Sequence, residues 1–419
     1  MRYNHPTEVP RSKTIYSLEW LGDRIPVSVP GQRGDTHPMA WAKDDGIYIG
    51  TGDPNWFILN GVLYNKAIPE KPELDEFVYQ RVSGQVVEKI TGSPECFSLE
   101  RVNDMIGFTG WGGHGPKPSG MVSVDGVLYY AVQNLLGWKP PRYGVNSQHG
   151  SDASIFKSED YGKTWSPDIN ATLAGFYKSD HITGSLKDPT KAWRTPPDER
   201  VSANGWKPMF PGNLFGGPSF IQYGKDNGEA VDDYIYAIST DHWDNGSELR
   251  VGRVPKDKIM DRGMWEFATF DDGNNGNDDN DDNYNNNEDK NNAGSVAWTR
   301  NLCRSQSVLT IDRHISLPEM VYLSKIKKYL LLTWGLHLDF RASTGAELTV
   351  LESDNPWGPF SLVYYEWMWY KREGGHYCPR VPLKWFNQDT LSGYMLYSGN
   401  WETQIPYYMP QTRAFKLIT

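Results

Sequence analysis

The sequence predicts an all-β protein, and three observations support this class. Helical periodicity is scarce along the 419 residues, whereas short strand patterns recur. Aromatic residues make up 13% of the chain, including 17 Trp and 24 Tyr, as suits packed strands. A hairpin pattern returns five times: a Pro at a strand start, a half-apolar run, a turn, and a second strand that opens on Tyr.

The five copies are spread along the whole chain. Their prolines are Pro38, Pro118, Pro218, Pro318 and Pro382. Tyr48, Tyr129, Tyr234, Tyr329 and Tyr394 follow these prolines by 10, 11, 16, 11 and 12 residues. Repeated hairpins at long intervals favour the blades of a β-propeller, in which each blade is a small antiparallel sheet. We therefore predict one domain over residues 1–419 that forms a five-bladed β-propeller, with a seven-bladed ring or a β-sandwich as alternatives.

Turn signals support the hairpins and mark one insertion. Asp45-Gly46 and Asp125-Gly126 are residue pairs that tolerate the positive φ of tight hairpin turns. Residues 271–292 read "DDGNNGNDDNDDNYNNNEDKNN" and carry −7 of the chain's net charge of −10. This tract has almost nothing to bury, so we predict a disordered, solvated loop. Its Asp spacing is an incomplete calcium-loop pattern, and structural calcium there is the weaker alternative to no metal at all.

Composition excludes several classes of protein and site. The net charge of −10 argues against nucleic-acid binding, which needs clustered Lys and Arg. The three cysteines form no Cys-x-x-Cys pair, so a structural zinc site is not expected. No apolar run of membrane-spanning length occurs, and "MRYNHPTEVP" does not read as a signal peptide. We expect a monomer without membrane or nucleic-acid partners, secreted or periplasmic if a leader was removed and otherwise of unknown compartment.

The stretch "SEDYGKTW", Ser158–Trp165, predicts a structural turn. It resembles the Asp-box of sialidase-like propellers, a hairpin between the outer strands of a blade. On this interpretation Asp160 accepts backbone N–H groups, Gly162 supplies an unusual φ, and Trp165 packs beneath the turn. "LESDNPWGPF" at 351–360 is a degenerate second copy.

Chemistry is expected where the innermost strands of the blades converge, because residues far apart in the sequence then reach one ligand. The Pro-marked strand starts therefore supply the candidates. The predicted catalytic residues are Asp35, Asp53, His37, His114 and Glu319. The predicted substrate-binding residues are Trp56, Trp111, Lys117, Tyr234, Arg250, His376 and Arg380. Neither a metal site nor a cofactor is predicted.

Asp35 and Asp53 are the central pair of this prediction. They lie in "RGDTHP" and "GTGDPNW", at the two ends of one predicted hairpin, and antiparallel pairing brings those ends side by side. Paired carboxylates in a cleft push their pKa values apart, which gives one acid and one base. The alternative is that one or both simply cap turns.

The order of "GDTHPMAWAKDDGIYIGTGD", "PKPSGMVSVDGVLYYAVQN", "SEDYGKTW", "NPWGPFSLVYYE" and "PLKWFNQDTLSGYMLYSG" resembles a propeller family that includes bacterial endo-D-arabinanases. The resemblance spans most of residues 30–400 and implies that Asp35 and Asp53 are the catalytic pair. This chain departs from the family by carrying His37 where Trp is usual and Pro54 after the second aspartate. A related clan uses three carboxylates, and Glu319 is a candidate for the third.

These observations favour a glycoside hydrolase that acts on a polysaccharide or oligosaccharide. The first alternative is a polysaccharide lyase for a uronate-containing polymer, similar to propeller ulvan lyases, which use His and Tyr to abstract a proton. Its residues would be His37, His114, Tyr234, Arg250 and Arg380. The second alternative is a sugar-binding propeller without catalysis.

Overall fold

A computed structural model describes residues 1–28, 34–52, 57–59, 62–64, 85–103, 115–138, 148–167, 208–270, 296–337, 345–370, 376–399 and 409–419. Within these ranges the chain is all-β, in a propeller-like arrangement of small sheets that are antiparallel except for the pairing of the first strand. Helix occurs in these ranges only as 3-10 turns, at Pro6–Glu8, Lys225–Asn227, Arg262–Met264, Leu302–Arg304 and Leu383–Trp385. The predicted acidic loop at 271–292 lies outside the described residues.

Two N-terminal strands join sheets that are formed by later parts of the chain. They are β1 (Arg2–Tyr3) and β2 (Ser17–Pro26).

The next six strands are β3 (Asp35–Trp41), β4 (Ile47–Gly52), β5 (Phe57–Leu59), β6 (Val62–Tyr64), β7 (Gln85–Ser93) and β8 (Cys96–Asn103). The first sheet has the strand order β3-β4-β7-β8, and β5 and β6 form a separate two-stranded ribbon. The turn between β3 and β4 has Asp45 at φ 71° and closes with a hydrogen bond from the Ala42 N–H to the Gly46 carbonyl.

The second sheet is a meander of three strands, β9 (Gly115–Val124), β10 (Val127–Trp138) and β11 (Gln148–Ser158). Asp125 and Gly126 join the first two strands and have φ of 52° and 87°. The hairpin turn that the Asp-Gly dipeptide predicts is therefore confirmed, because both residues adopt positive φ.

The third sheet contains β12 (Ser219–Phe220), β13 (Tyr234–Thr240), β14 (Gly246–Pro255), β15 (Glu266–Phe270), β16 (Val296–Thr299) and β17 (Leu309–Ile315). Its strand order is β12-β13-β14-β17-β1, and β15 pairs with both β14 and β16.

The fourth sheet contains β18 (Glu319–Leu323), β19 (Lys328–Leu336), β20 (Ala346–Ser353) and β21 (Phe360–Tyr370), paired in chain order. The fifth contains β22 (His376–Arg380), β23 (Phe386–Asn387), β24 (Ser392–Gly399) and β25 (Gln411–Ile418). β2 pairs with β25, so a strand from the start of the chain completes the last sheet.

The first strands of the five sheets form a cyclic series of contacts. β3 contacts β9, β9 contacts β12, β12 contacts β18, β18 contacts β22, and β22 contacts β3. We call these five the inner strands. Pro38 and Pro118 lie within inner strands, and Pro218 and Pro318 directly precede them, as the repeat predicts.

The fifth copy of the repeat was assigned wrongly. Pro382 follows β22 and caps a 3-10 turn, whereas the proline inside the inner strand is Pro379. Cys378 has φ 50°, and the pairing register of β22 shifts between Tyr377 and Arg380. This bulge breaks the period of two by which a strand is recognised in sequence, so the inner strand was missed.

Hydrophobic side chains fill the space between neighbouring sheets. Ala40 and Tyr130 belong to a cluster between the first and second sheets, and Met39 and Leu396 to one between the first and fifth. Corresponding clusters lie between the second and third, third and fourth, and fourth and fifth sheets. Each fully buried large apolar side chain contributes about 1.5–3 kcal/mol, so these clusters hold neighbouring sheets together.

Candidate functional site

Arg380 connects three inner strands at one end of the cyclic arrangement. Its side chain is fully buried on β22. Its Nε donates to the Thr36 carbonyl on β3 at 2.9 Å, and its Nη1 donates to the Pro318 carbonyl before β18 at 3.1 Å. The two carbonyls belong to the residues directly beside Asp35 and Glu319, so Arg380 joins the strand starts that carry two of the predicted carboxylates. We call Arg380 and the residues at these strand starts the cluster.

Asp35 begins β3 and is almost completely buried. Its Oδ2 accepts a hydrogen bond from the Tyr377 hydroxyl at 3.1 Å. In the β3–β4 hairpin Asp35 pairs with Gly52, and a Cβ at Gly52 would come within 2.4 Å of Asp35 Oδ1. Glycine is therefore needed beside this carboxylate. Asp53, the next residue, lies outside the described residues, so the predicted Asp35–Asp53 pair stays a prediction.

Glu319 begins β18 and is also buried. Its Oε2 accepts a hydrogen bond from the Val381 backbone N–H. Burial raises the pKa of Glu319 to about 7, although the Arg380 charge and the Val381 hydrogen bond act to lower it. Desolvation therefore dominates, and this carboxyl can hold a proton near neutral pH.

His37 lies in a strained part of β3. Thr36 and His37 have φ of 64° and 41°, and the pairing register of β3 shifts between Thr36 and Met39. The His37 ring is fully buried, with Nδ1 at 3.1 Å from Ser398 Oγ. Burial and the nearby Arg380 charge lower the pKa of His37 to about 3, so the ring is neutral at ordinary pH.

Tyr377, which binds Asp35, and the buried Asp244 were missed from the sequence. Asp244 is fully buried in "HWDNG", between β13 and β14. Burial raises the pKa of the Cys378 thiol, the Arg380 charge lowers it, and the Asp35 and Asp244 charges raise it. The thiol therefore lies within electrostatic range of all three groups. Nothing local distinguishes Asp244 from an ordinary turn aspartate, so no sequence signal was available for it.

Several buried polar atoms of the inner strands have no hydrogen-bond partner among the described residues. They include Thr36 Oγ1, His37 Nε2, Arg380 Nη2, Ser119 Oγ and, on the second strand of the second sheet, Gln133 Nε2. A buried polar group without a partner costs about 1–3 kcal/mol, so folded proteins contain few of them. Thr36, His37 and Arg380 lie close together, so one polar ligand could satisfy all three of their unpaired atoms.

Lys117 and His376 lie on inner strands next to this cluster. Lys117 is buried on β9, and its neighbour Pro118 lies close to Gly52, since a Cβ added there would be 3.4 Å from the Pro118 ring. His376 begins β22, with Nε2 at 3.3 Å from Arg24 Nη1. Burial and the charges of Arg24 and Arg413 keep the pKa of His376 well below its usual value.

Tyr234 and Arg250 make their contacts elsewhere in the third sheet. Ser219 on the inner strand pairs with Ile238, so Tyr234 is four residues, or about 13 Å, further along β13. Its ring lies 4.3 Å from the Arg253 guanidinium. Arg250 pairs with Glu248 and donates to the Ser305 carbonyl at 2.9 Å. The structure does not bring these two residues to the cluster. Trp56, Trp111 and His114 lie outside the described residues.

The Ser158–Trp165 turn contains the predicted contacts. Asp160 Oδ1 accepts from the Thr164 N–H at 2.9 Å and from Ser158 Oγ at 2.8 Å, and Oδ2 accepts from Thr164 Oγ1 at 2.6 Å. Gly162 has φ 92°, and the buried Trp165 ring packs 5.4 Å from that of Tyr130. The turn follows β11 and returns through the Lys157–Ser166 bridge, on the outer side of the second sheet. It is structural and separate from the cluster.

The described ranges contain neither a metal-binding group nor a membrane-spanning helix. No group of three or more His, Cys, Asp or Glu side chains there is arranged to hold a metal ion. No helix in the same ranges has the length and apolar character to cross a membrane.

Comparison with known proteins gives no family. No family model matches the chain, and no curated protein matches it. Among solved structures, a protein of unknown function from Dyadobacter fermentans shares 10% identity over 96% of this chain and 100% of that chain, with a TM-score of 0.45. A putative hydrolase from Bacteroides ovatus shares 10% identity over 97% and 96%, with a TM-score of 0.47.

A xylan β-1,4-xylosidase from Bacillus halodurans shares 10% identity over 94% of this chain but only 56% of its own, with a TM-score of 0.42. All three TM-scores are below 0.5. These likenesses assign neither a family nor a reaction to this chain, and the resemblance to the endo-D-arabinanase family stays a prediction from sequence motifs.

Proposed function

We propose that this protein hydrolyses glycosidic bonds in a polysaccharide or oligosaccharide, at the end of a five-bladed propeller where Arg380 joins the strand starts that carry Asp35 and Glu319. The observation that carries the proposal is the position of Arg380, which binds the carbonyls next to both carboxylates. Glycoside hydrolysis needs two carboxyl groups that flank the scissile bond, one of them protonated.

The five-blade count is part of the proposal. Its support is the cyclic series of contacts among the inner strands, together with one hydrophobic cluster between each pair of neighbouring sheets. Pairing of β2 with β25 within the last sheet would close the ring in the way that propellers avoid a free joint between first and last blades.

Glu319 is proposed as the general acid. Its raised pKa of about 7 lets it carry a proton at the pH of the reaction and donate it to the leaving oxygen. Asp35 is proposed as the carboxylate on the other side of the bond, as base or nucleophile. Asp53, which directly follows the glycine paired with Asp35, is the remaining candidate for a third acid.

The unpaired polar atoms support a sugar as the ligand. Thr36, His37 and Arg380 each place at least one buried polar atom without a described partner in this cluster. Sugar hydroxyls both donate and accept hydrogen bonds, so a single sugar can satisfy protein donors and protein acceptors at the same time. We propose that these residues orient the sugar, and that the reaction uses side chains alone.

Elimination is the alternative that the contacts favour less. A lyase needs a base that can take a proton, and a His37 whose pKa is about 3 is a weak one. Tyr234 and Arg250, which the alternative also uses, make their contacts away from the cluster.

The test is incubation with a panel of neutral and uronate-containing polysaccharides, with two readings of each reaction. New reducing ends without ultraviolet absorbance support hydrolysis, whereas an absorbing unsaturated product identifies elimination. Binding without either product identifies the non-catalytic alternative. Asp35→Asn and Glu319→Gln variants, checked for folding by circular dichroism, should both lose the hydrolytic product. Full activity in both variants would show that Asp35 and Glu319 are not the catalytic carboxylates.

A further inference from the structure

Tyr377 makes a contact with Asp35 that joins distant parts of the chain. Its hydroxyl donates to Asp35 Oδ2 at 3.1 Å across 342 positions of sequence. The Tyr377 side chain is fully buried, and Asp35 is almost so. A hydrogen bond donated to an ionised carboxylate favours the charged form and fixes its direction.

The Tyr377 ring is held on two sides. It lies 5.4 Å from the Trp334 ring and 6.2 Å from the Trp243 ring, and all three belong to the cluster between the fourth and fifth sheets. Such packing leaves the hydroxyl little freedom to leave Asp35. The aromatic packing therefore fixes the Tyr377 hydroxyl, and the hydroxyl in turn fixes the Asp35 carboxylate.

The bulge in β22 explains how Tyr377 and Arg380 can serve one site. In a regular strand, residues three positions apart point to opposite faces of the sheet. The register of β22 shifts between these two residues, where Cys378 adopts φ 50°. The shift lets Tyr377 reach Asp35 while Arg380 reaches the carbonyl of the next residue, Thr36.

We infer that Tyr377 is a positioning residue for Asp35, whose carboxylate it orients toward the substrate by the hydrogen bond from its hydroxyl. The inference rests on the proposed function, since it assigns Tyr377 to the reaction that Asp35 would serve. A positioning role differs from a purely structural one, because removing the Tyr377 hydroxyl should change the titration of Asp35 as well as the stability of the fold.

The experiment uses Tyr377→Phe, which keeps the ring and removes only the donor. The substrate is the panel polysaccharide that yields reducing ends. Loss of the donor should raise the pKa of Asp35, so the acidic limb of the kcat/KM profile should move to higher pH by about one unit. We expect kcat to fall about tenfold or more, with little change in KM.

The matched control is Tyr223→Phe. The Tyr223 hydroxyl is buried and lies 3.3 Å from the Tyr329 hydroxyl, in the cluster between the third and fourth sheets. This variant loses a comparable buried hydroxyl and should leave the pH profile unchanged. In an Asp35→Asn background, Tyr377→Phe should cause no further loss of rate.

Two results would overturn the inference, and they are distinguishable. If Asp35→Asn is inactive but Tyr377→Phe keeps the wild-type pH profile, Tyr377 is only a packing residue and the proposed function survives. If Asp35→Asn is fully active, the assignment of Asp35 fails and that of Tyr377 fails with it. Should Tyr377→Phe not fold, 3-fluorotyrosine at position 377 keeps the shape and strengthens the donor. The acidic limb should then move to lower pH, and an unmoved limb would count against the inference.

Discussion

Asp160 and Asp35 are both hydrogen-bonded aspartates, and comparing their surroundings separates a structural site from a functional one. The Asp160 carboxylate accepts hydrogen bonds from within its own turn, from Ser158 and Thr164. Asp35 accepts a hydrogen bond from Tyr377, which lies 342 positions away in the sequence. Asp160 is therefore satisfied locally, whereas the surroundings of Asp35 exist only in the folded protein.

The neighbours of the two residues differ as well. The hydroxyls of Ser158 and Thr164 both bond to Asp160. Next to Asp35, Thr36 Oγ1, His37 Nε2 and Arg380 Nη2 are buried without a partner in the described part of the chain. Stability alone does not account for such groups, because each one costs free energy of folding. The comparison teaches that a carboxylate held by a partner distant in sequence, and not the presence of a carboxylate alone, marks the candidate site.

The largest expected effect is on activity. Asp35→Asn should lower kcat/KM on the panel substrate about 100- to 10,000-fold, because an amide can neither accept a proton nor attack carbon. Asp160→Asn is the matched control and should leave kcat/KM within about twofold of wild type. Steady-state kinetics of both variants check this. Equal losses in the two variants would erase the distinction between the two aspartates.

His37→Asn should change stability in acid. The folded-state pKa of His37 is about 3, against 6.5 for the ordinary ring, so below pH 6.5 the unfolded chain binds a proton that the folded protein does not. Stability is full above that pH and is lost as the pH falls toward 3. Asn tolerates positive φ and does not titrate, so the variant should avoid a loss on the order of 4 kcal/mol.

Urea unfolding of wild type and His37→Asn across this acidic range measures the difference. Asp160→Asn provides the reference, because Asp160 is partly exposed and bonded within its own turn. This variant should lose stability in acid as the wild type does. Parallel pH dependences for wild type and His37→Asn would show that His37 is not held neutral.

Glu319→Gln should change stability at neutral and higher pH, whereas the effect of His37 appears in acid. The pKa of Glu319 is about 7 in the folded protein, against 4.5 for an ordinary Glu. Its contribution is full below pH 4.5 and is lost as the pH rises through about 7, because the unfolded chain releases its proton first. Gln does not ionise, so the variant should gain on the order of 3 kcal/mol relative to wild type at about pH 8.

Chemical denaturation at about pH 4 and about pH 8 checks this, with near-equal stabilities expected at the lower pH. A relative gain at the lower pH instead would mean that burial does not raise the pKa of Glu319.

The smallest expected effect comes from the structural turn. Asp160→Ala removes the acceptor for the Thr164 N–H and for two hydroxyls, which should cost about 1–2 kcal/mol of unfolding free energy. Thermal melting measures the loss, and kcat/KM should be unchanged. A large loss of activity at unchanged stability would place the turn in the site.

Much of the architecture was predictable from local patterns. Both Asp-Gly pairs lie in hairpin turns, and four of the five prolines lie in or directly before inner strands. Asp35, Glu319 and Arg380 were identified as candidates because they lie near such prolines. The fifth inner strand was missed because the positive φ of Cys378 interrupts the alternation on which strand recognition depends.

The arrangement of the site was not predictable in the same way. Arg380 was expected to contact substrate, yet two of its nitrogens bind backbone carbonyls 344 and 62 positions away. Tyr234 and Arg250 carry suitable chemistry, but they lie on the second and third strands of their sheet, and their contacts are there. Tyr377 and Asp244 gave no local signal, since their importance depends on neighbours distant in sequence.

By itself, the sequence determined the all-β class, the hairpin turns and the self-contained Ser158–Trp165 turn, because these depend on residues a few positions apart. Only the tertiary structure decided which polar side chains share one buried space. Burial, not residue type, sets the pKa values of Glu319 and His37 on opposite sides of their usual values, and burial requires the packed sheets.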